Sequence, residues 1–99
     1  MRRYATSRKT YGPELTLTAQ VFKEGRVFVS YTPELDVSSC GDSIDEARKN
    51  LKDAVKGFIK SAQKLGTLAE ILEEAGFAHR GSRWIAPQLM TLDRFTVKA

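Results

Sequence analysis

Residues that could do chemistry are sparse in this 99-residue sequence, which has one histidine, one cysteine and twelve Asp and Glu. His79 has no cysteine nucleophile and no spaced carboxylate beside it in sequence, so it reads as a surface or partly packed histidine. Cys40 can make neither an internal disulfide nor, alone, a zinc site. It stands just before a helix N-terminus, but Gly41 and Asp42 bring no positive charge, so an unreactive thiol is expected. Gly41 is a lone turn glycine and not a phosphate-binding loop. Ser43 and Glu46 have the S-x-x-E spacing of a capping box, which assigns Glu46 a local structural role. Asp53 falls among lysines on an exposed helical face. No catalytic residue, metal site or cofactor is expected.

The elements that must position these residues follow from periodicity. Residues 14–22 alternate, with Leu15, Leu17, Ala19 and Val21 on one face and Thr16, Thr18, Gln20 and Phe22 on the other, as in a half-buried antiparallel strand. Lys23-Glu24-Gly25 supplies a hairpin loop, and a second strand resumes at Arg26. Pro33 stops that strand, because proline has no N–H for a ladder. Leu35 to Ser39 is expected as a third strand, so the sheet is a meander. Gly41 then permits a turn and Ser43 opens a helix.

From Ile44 the period changes to three and four. Ala47, Leu51, Ala54, Val55, Phe58, Ile59, Ala62 and Leu65 form an apolar stripe. Arg48, Lys49, Lys52, Lys56, Lys60 and Lys64 face outward against Asp45, Glu46 and Asp53. Gly57 costs about 1 kcal/mol relative to alanine inside a helix, which suggests close packing against the sheet there. Gly66 ends the helix as a left-handed cap. Thr67-Leu68-Ala69-Glu70 is a second capping-box pattern. The short helix after it buries Leu68, Ile71, Leu72 and Ala75, exposes Glu70, Glu73 and Glu74, and stops at Gly76. Phe77 is expected to fold back on it. Residues 78–87 read as a hairpin or an extended connection with its turn at Gly81-Ser82, with Trp84 covering a core edge or a partner. Residues 91–98 alternate as a closing strand.

The order Tyr31-Thr32-Pro33-Glu34-Leu35-Asp36-Val37-Ser38-Ser39, then Gly41-Asp42-Ser43-Ile44-Asp45-Glu46-Ala47 and Asn50-Leu51, ahead of an amphipathic helix, resembles the signature of HicB-like antitoxins. These are the neutralising halves of prokaryotic HicA–HicB toxin–antitoxin pairs. The resemblance covers roughly residues 14–77. Many members carry Pro-Gly where this chain has Asp36-Val37, and a subgroup resembles the present version. The resemblance implies an α+β, partial ribonuclease-H-like fold in the order βββααβ, an antiparallel sheet with a long helix on one face. Metal-dependent nucleases of that architecture hold two Mg²⁺ with acids on the first strand, a helix and a later strand. Here the first strand has no acid after Glu14. Many HicB antitoxins add a DNA-binding domain; the residues after Phe77 show no helix pair, so a stand-alone domain over 14–99 is expected.

The resemblance further implies a protein partner, a small basic HicA-like toxin that cleaves mRNA, whose active site this chain would mask. Tyr31, Pro33, Glu34, Leu35, Asp36, Glu70, Glu73, Glu74 and Trp84 are the candidate contacts, acids complementing a basic RNA groove and apolar groups anchoring the complex. The alternative is direct nucleic-acid binding. The chain carries a net charge of +4. A basic arm over residues 1–13, with Arg2, Arg3, Arg8 and Lys9 and interleaved Tyr4 and Tyr11, is expected to be mobile when free, and with the lysine face of the helix it could hold a phosphate backbone. A sheet with open edges suggests a homodimer in which residues 91–98 pair across a two-fold axis. No stretch approaches the roughly 18 apolar residues of a membrane span, and no apolar segment follows the N-terminal arginines as in a secretory signal. A cytoplasmic protein is the expectation.

Overall fold

Three strands, Gln20–Glu24 (β1), Val27–Thr32 (β2) and Val37–Gly41 (β3), form an antiparallel sheet in the order β1-β2-β3. The computed structural model describes residues 14–99, and the basic arm anticipated over 1–13 lies outside the described residues. Two helices follow, Ile44–Leu65 (α1) and Leu68–Glu74 (α2), and then a separate two-stranded hairpin of Ala78–Arg80 (β4) and Arg83–Ile85 (β5). The fold is α+β, with α1 laid over β3 and β2 on one face of the sheet.

Glu24 pairs with Val27, so the first hairpin turns on Gly25 and Arg26 alone. Gly25 has φ of 62°, the positive φ that a type II′ turn requires at its first central position. The loop is thus one residue shorter than expected, and Lys23 and Glu24 belong to the strand.

The first strand also starts later than its alternation suggests. The ladder begins at Gln20, which pairs with Tyr31, and residues 14–19 are extended without a strand partner. Pro33 limits it: β2 ends at Thr32, so in the same register the chain before Ala19 has no strand to pair with. The alternation still sets the facing, because Leu15 and Leu17 are half-buried against the core.

The third strand is shifted by two residues. Residues 33–36 form a turn, and Asp36 holds a left-handed φ of 56°, unusual for a residue with a Cβ. Leu35 therefore sits in the turn and not in β3, with its side chain in the core at 7% exposure. Gly41 is the last residue of β3 and not a turn glycine. A Cβ there would lie 2.7 Å from the Ala47 nitrogen and 2.9 Å from the Glu46 carbonyl carbon. Close approach of the start of α1, and no special φ, is what glycine permits at this position.

Ser43 caps α1 as its spacing predicts, its hydroxyl accepting from the Glu46 N–H at 3.0 Å. The reciprocal bond is displaced by one residue: the Glu46 carboxylate accepts from the N–H of Asp42, not of Ser43. Ala47, Leu51, Val55 and Ala62 are buried along α1. At the far end Gly66, with φ of 74°, lets its own N–H reach Gln63 O (3.1 Å) and that of Thr67 reach Ala62 O (2.9 Å), a Schellman closure. Leu65 departs from the stripe at 77% exposure, since it lies past Ala62, the last buried position. Gly57 also departs from expectation. A Cβ at this position meets nothing within 4 Å, so no close packing requires the glycine.

Thr67 does not cap α2. Its φ and ψ of −109° and 0° lie outside the extended region that an N-cap needs, and its hydroxyl turns back to Ala62 O at 3.5 Å. α2 nevertheless buries Leu72 and exposes Glu70, Glu73 and Glu74. Phe77 folds back as anticipated, its N–H bonding to Leu72 O at 2.9 Å and its ring buried. Leu35, Leu51, Val55, Leu72 and Phe77 make one core cluster, flanked by Leu15, Leu17, Phe58, Ile59, Trp84 and others.

The hairpin turns at Gly81 and Ser82, as its sequence indicates. The closing strand does not form. Residues 86–99 have no regular structure, so the order is βββααββ, with no fourth strand on the main sheet. A strand needs a partner backbone, and among the described residues the segment 91–98 has none.

Candidate partner-binding surface

The register of the sheet separates its two faces. Val21, Ser30 and Ser39 form one cross-strand row, and Phe22, Val29 and Cys40 form the next on the opposite face. Ser30 is fully buried, which places its row beneath α1. The second row, with Val27 and the neighbouring row of Gln20, Tyr31 and Ser38, faces away from the helix. Among the described elements only α1 touches this sheet, so no described helix or strand covers the outer face. Phe22 and Val27 are exposed there, and Val29 and Tyr31 are half-buried by their neighbours.

The turn at 33–36 borders this face. The Tyr31 hydroxyl donates to Asp36 Oδ1 at 2.9 Å. That bond, with some desolvation and the charge of Asp36, holds the phenol above its ordinary pKa of 10.0. The bond also ties down the carboxylate of the residue with positive φ. Pro33 and Asp36 are exposed and available to a partner.

Glu34 and Leu35 serve the fold instead. The Glu34 carboxylate accepts from the Thr18 N–H (3.0 Å), the Thr18 hydroxyl (2.7 Å) and the Thr32 hydroxyl (3.0 Å). Partial burial pushes its pKa up, but these bonds and that of its own N–H together outweigh the burial and leave it below the ordinary 4.5. The side chain replaces the strand partner that Pro33 removes, holding residues 14–19 beside the end of β2. Leu35 joins the same core cluster as Leu72, which links the turn to α2 and its exposed Glu70, Glu73 and Glu74.

Trp84 lies apart from the outer face. It is half-buried at the core edge and stacks on His79, its cross-strand partner, at 4.3 Å between centroids and 8° between planes. His79 is exposed, with its ring committed to that stack. Cys40 is a free, exposed thiol on the outer face. Among the described residues no three His, Cys, Asp or Glu side chains converge as metal ligands would.

On α1 the exposed basic side chains Lys52, Lys56, Lys60 and Lys64 accompany two solvent-facing ion pairs, Arg48–Asp45 at 4.0 Å and Lys49–Asp53 at 3.9 Å. Pairs so exposed contribute on the order of 0–1 kcal/mol. No helix among the described residues is long and apolar enough to cross a membrane.

Sequence reasoning did not single out Phe22, Val27 and Val29 as a surface. Their alternation was visible, but which face α1 covers was not. The partnership of Thr18 with Glu34 had no sequence signal, because it joins residues sixteen apart through a side chain. Comparison of the chain with protein-family models, curated proteins and solved structures finds no match.

Proposed function

We propose that this chain is a HicB-like antitoxin module that neutralises a HicA-like, mRNA-cleaving toxin by covering its active site. The reading rests on the resemblance of residues 31–51 to the HicB-like signature. The observation that carries it to a surface is the uncovered sheet face of Phe22, Val27, Val29 and Tyr31, bordered by the Asp36 carboxylate. An apolar centre with acidic groups at its margin suits a basic, RNA-binding partner: the apolar groups anchor and the charges speed encounter. Glu70, Glu73 and Glu74 on α2 extend the acidic margin. In this role the protein acts in the cytoplasm by binding, with no chemistry of its own.

Co-expression with the toxin-like protein of the neighbouring reading frame, in cells that this toxin alone arrests, tests the reading. The wild-type chain restores growth, and Val29→Asp, on the outer face, does not. Restoration by Val29→Asp equal to wild type would exclude this face, and failure of the wild-type chain would remove the function.

A further inference from the structure

Residues 88–98 present an anomaly that the proposed function does not absorb. Leu89, Met90, Leu92, Phe95 and Val97 stand in water at 61% to 85% exposure, on a segment without regular structure that pairs with no described strand. Large apolar groups at this density, with free backbone N–H and C=O groups beside them, mark a strand awaiting an edge.

The main sheet has such an edge with a matching groove. Among the described residues β1 pairs only with β2, which leaves its other side open. Because α1 lies over β3 and β2, the helix side of residues 15–19, the stretch that leads into β1, opens into a groove of about 390 Å³, lined chiefly by Leu15, Leu17, Ala19, Leu51, Val55 and Ile59. Lys52 and Lys56 also line it.

We propose that the segment is an exchange arm: residues 88–98 of one copy run along residues 15–19 and the adjoining β1 edge of a second copy, and each copy gives and receives one arm. Asp93, Phe95 and Val97 share one face of an extended strand, and Arg94, Thr96 and Lys98 share the other. With the first face inward, Phe95 and Val97 fill the groove and Asp93 meets Lys52 or Lys56. The second face, with Met90 and Leu92 nearer the root, points away from the groove, so Phe95 and Val97 are the apolar groups that the exchange buries. The root of the arm is fixed. Trp84 and Ala86 pack on the core, and Pro87 lies so close to Gly76 that a Cβ there would be 3.2 Å from its ring. Exchange then closes with two-fold symmetry and leaves no arm over.

Light scattering and isotope-filtered NMR on the full chain test this. At micromolar concentration the protein has twice the mass of one chain. Deleting residues 88–99 makes it monomeric with an unchanged circular dichroism spectrum, and Phe95→Asp weakens the dimer by about 30-fold or more, as loss of a buried aromatic anchor does. Phe95 is exposed in the single chain, so this change leaves the monomer fold intact. In a mixture of labelled and unlabelled copies, the Phe95 ring of one copy shows contacts to Val55 and Ile59 methyls of the other. A monomeric full chain, a dimer that survives arm deletion, or arm–groove contacts confined to one copy would each overturn the proposal. None of these outcomes bears on toxin binding.

Discussion

Glu34 accepts hydrogen bonds from both the backbone N–H and the hydroxyl of Thr18, at 3.0 and 2.7 Å. A proline ends β2, and the next residue's carboxylate gives the Thr18 N–H an acceptor beyond the end of that strand. Replacing Glu34 with Ala leaves the Thr18 N–H unpaired and costs about 1–3 kcal/mol, measured as a lower urea midpoint at neutral pH. Its pKa is depressed in the folded chain, so the contribution is complete above the unfolded value near 4.5 and is lost as pH falls through the lower folded value. The wild-type and Glu34→Gln stability curves therefore converge on acidification. Curves that stay parallel to the lowest pH would show the carboxylate to be neutral in its effect.

Ser30 carries the opposite prediction. It is fully buried beneath α1, and its hydroxyl has no hydrogen-bond partner among the described residues. Ser30→Ala removes the unpaired group with little change of volume and raises stability by about 1 kcal/mol. The denaturant midpoint should rise with the slope unchanged.

Two glycines separate close approach from conformational freedom. Gly41→Ala puts a Cβ 2.7 Å from the Ala47 nitrogen, a backbone atom that cannot turn aside, and costs about 1–3 kcal/mol as α1 shifts from β3. Gly57→Ala meets open space inside a helix and stabilises by about 0.5–1 kcal/mol. Thermal melts of the two variants should move in opposite directions.

The phenol of Tyr31 reports on the turn. Its pKa is raised by the bond to Asp36, by desolvation and by the Asp36 charge, so Asp36→Asn brings it down towards 10.0. With tyrosine rings labelled for NMR, Tyr4→Phe and Tyr11→Phe leave Tyr31 as the one signal. The bond's support for the turn is present at neutral pH and disappears as pH rises through the raised value, when the phenolate faces the carboxylate. An unchanged titration in Asp36→Asn would show that the two groups do not interact in solution.

Local chemistry was legible in the sequence wherever one segment settles its own conformation. The Ser43 cap, the Gly66 closure, the turn at Gly81 and the return of Phe77 each depend on residues within about six positions of each other, and the stripe from Ala47 to Ala62 repeats a helical spacing. Pro33 likewise stops β2 by its own covalent ring. What the tertiary structure decided are relations between distant segments. Alternation shows that Phe22 and Val21 face opposite ways, but only the placement of α1 makes one face core and leaves the other uncovered. Glu34 carries charge like the glutamates of α2, yet meeting Thr18 makes it a clamp. Residues 91–98 have the pattern of a strand, and a pattern specifies which side chains share a face without supplying a backbone to pair with. That partner must come from elsewhere in space, which is why the segment reads as a strand in sequence and stands unpaired in the single chain.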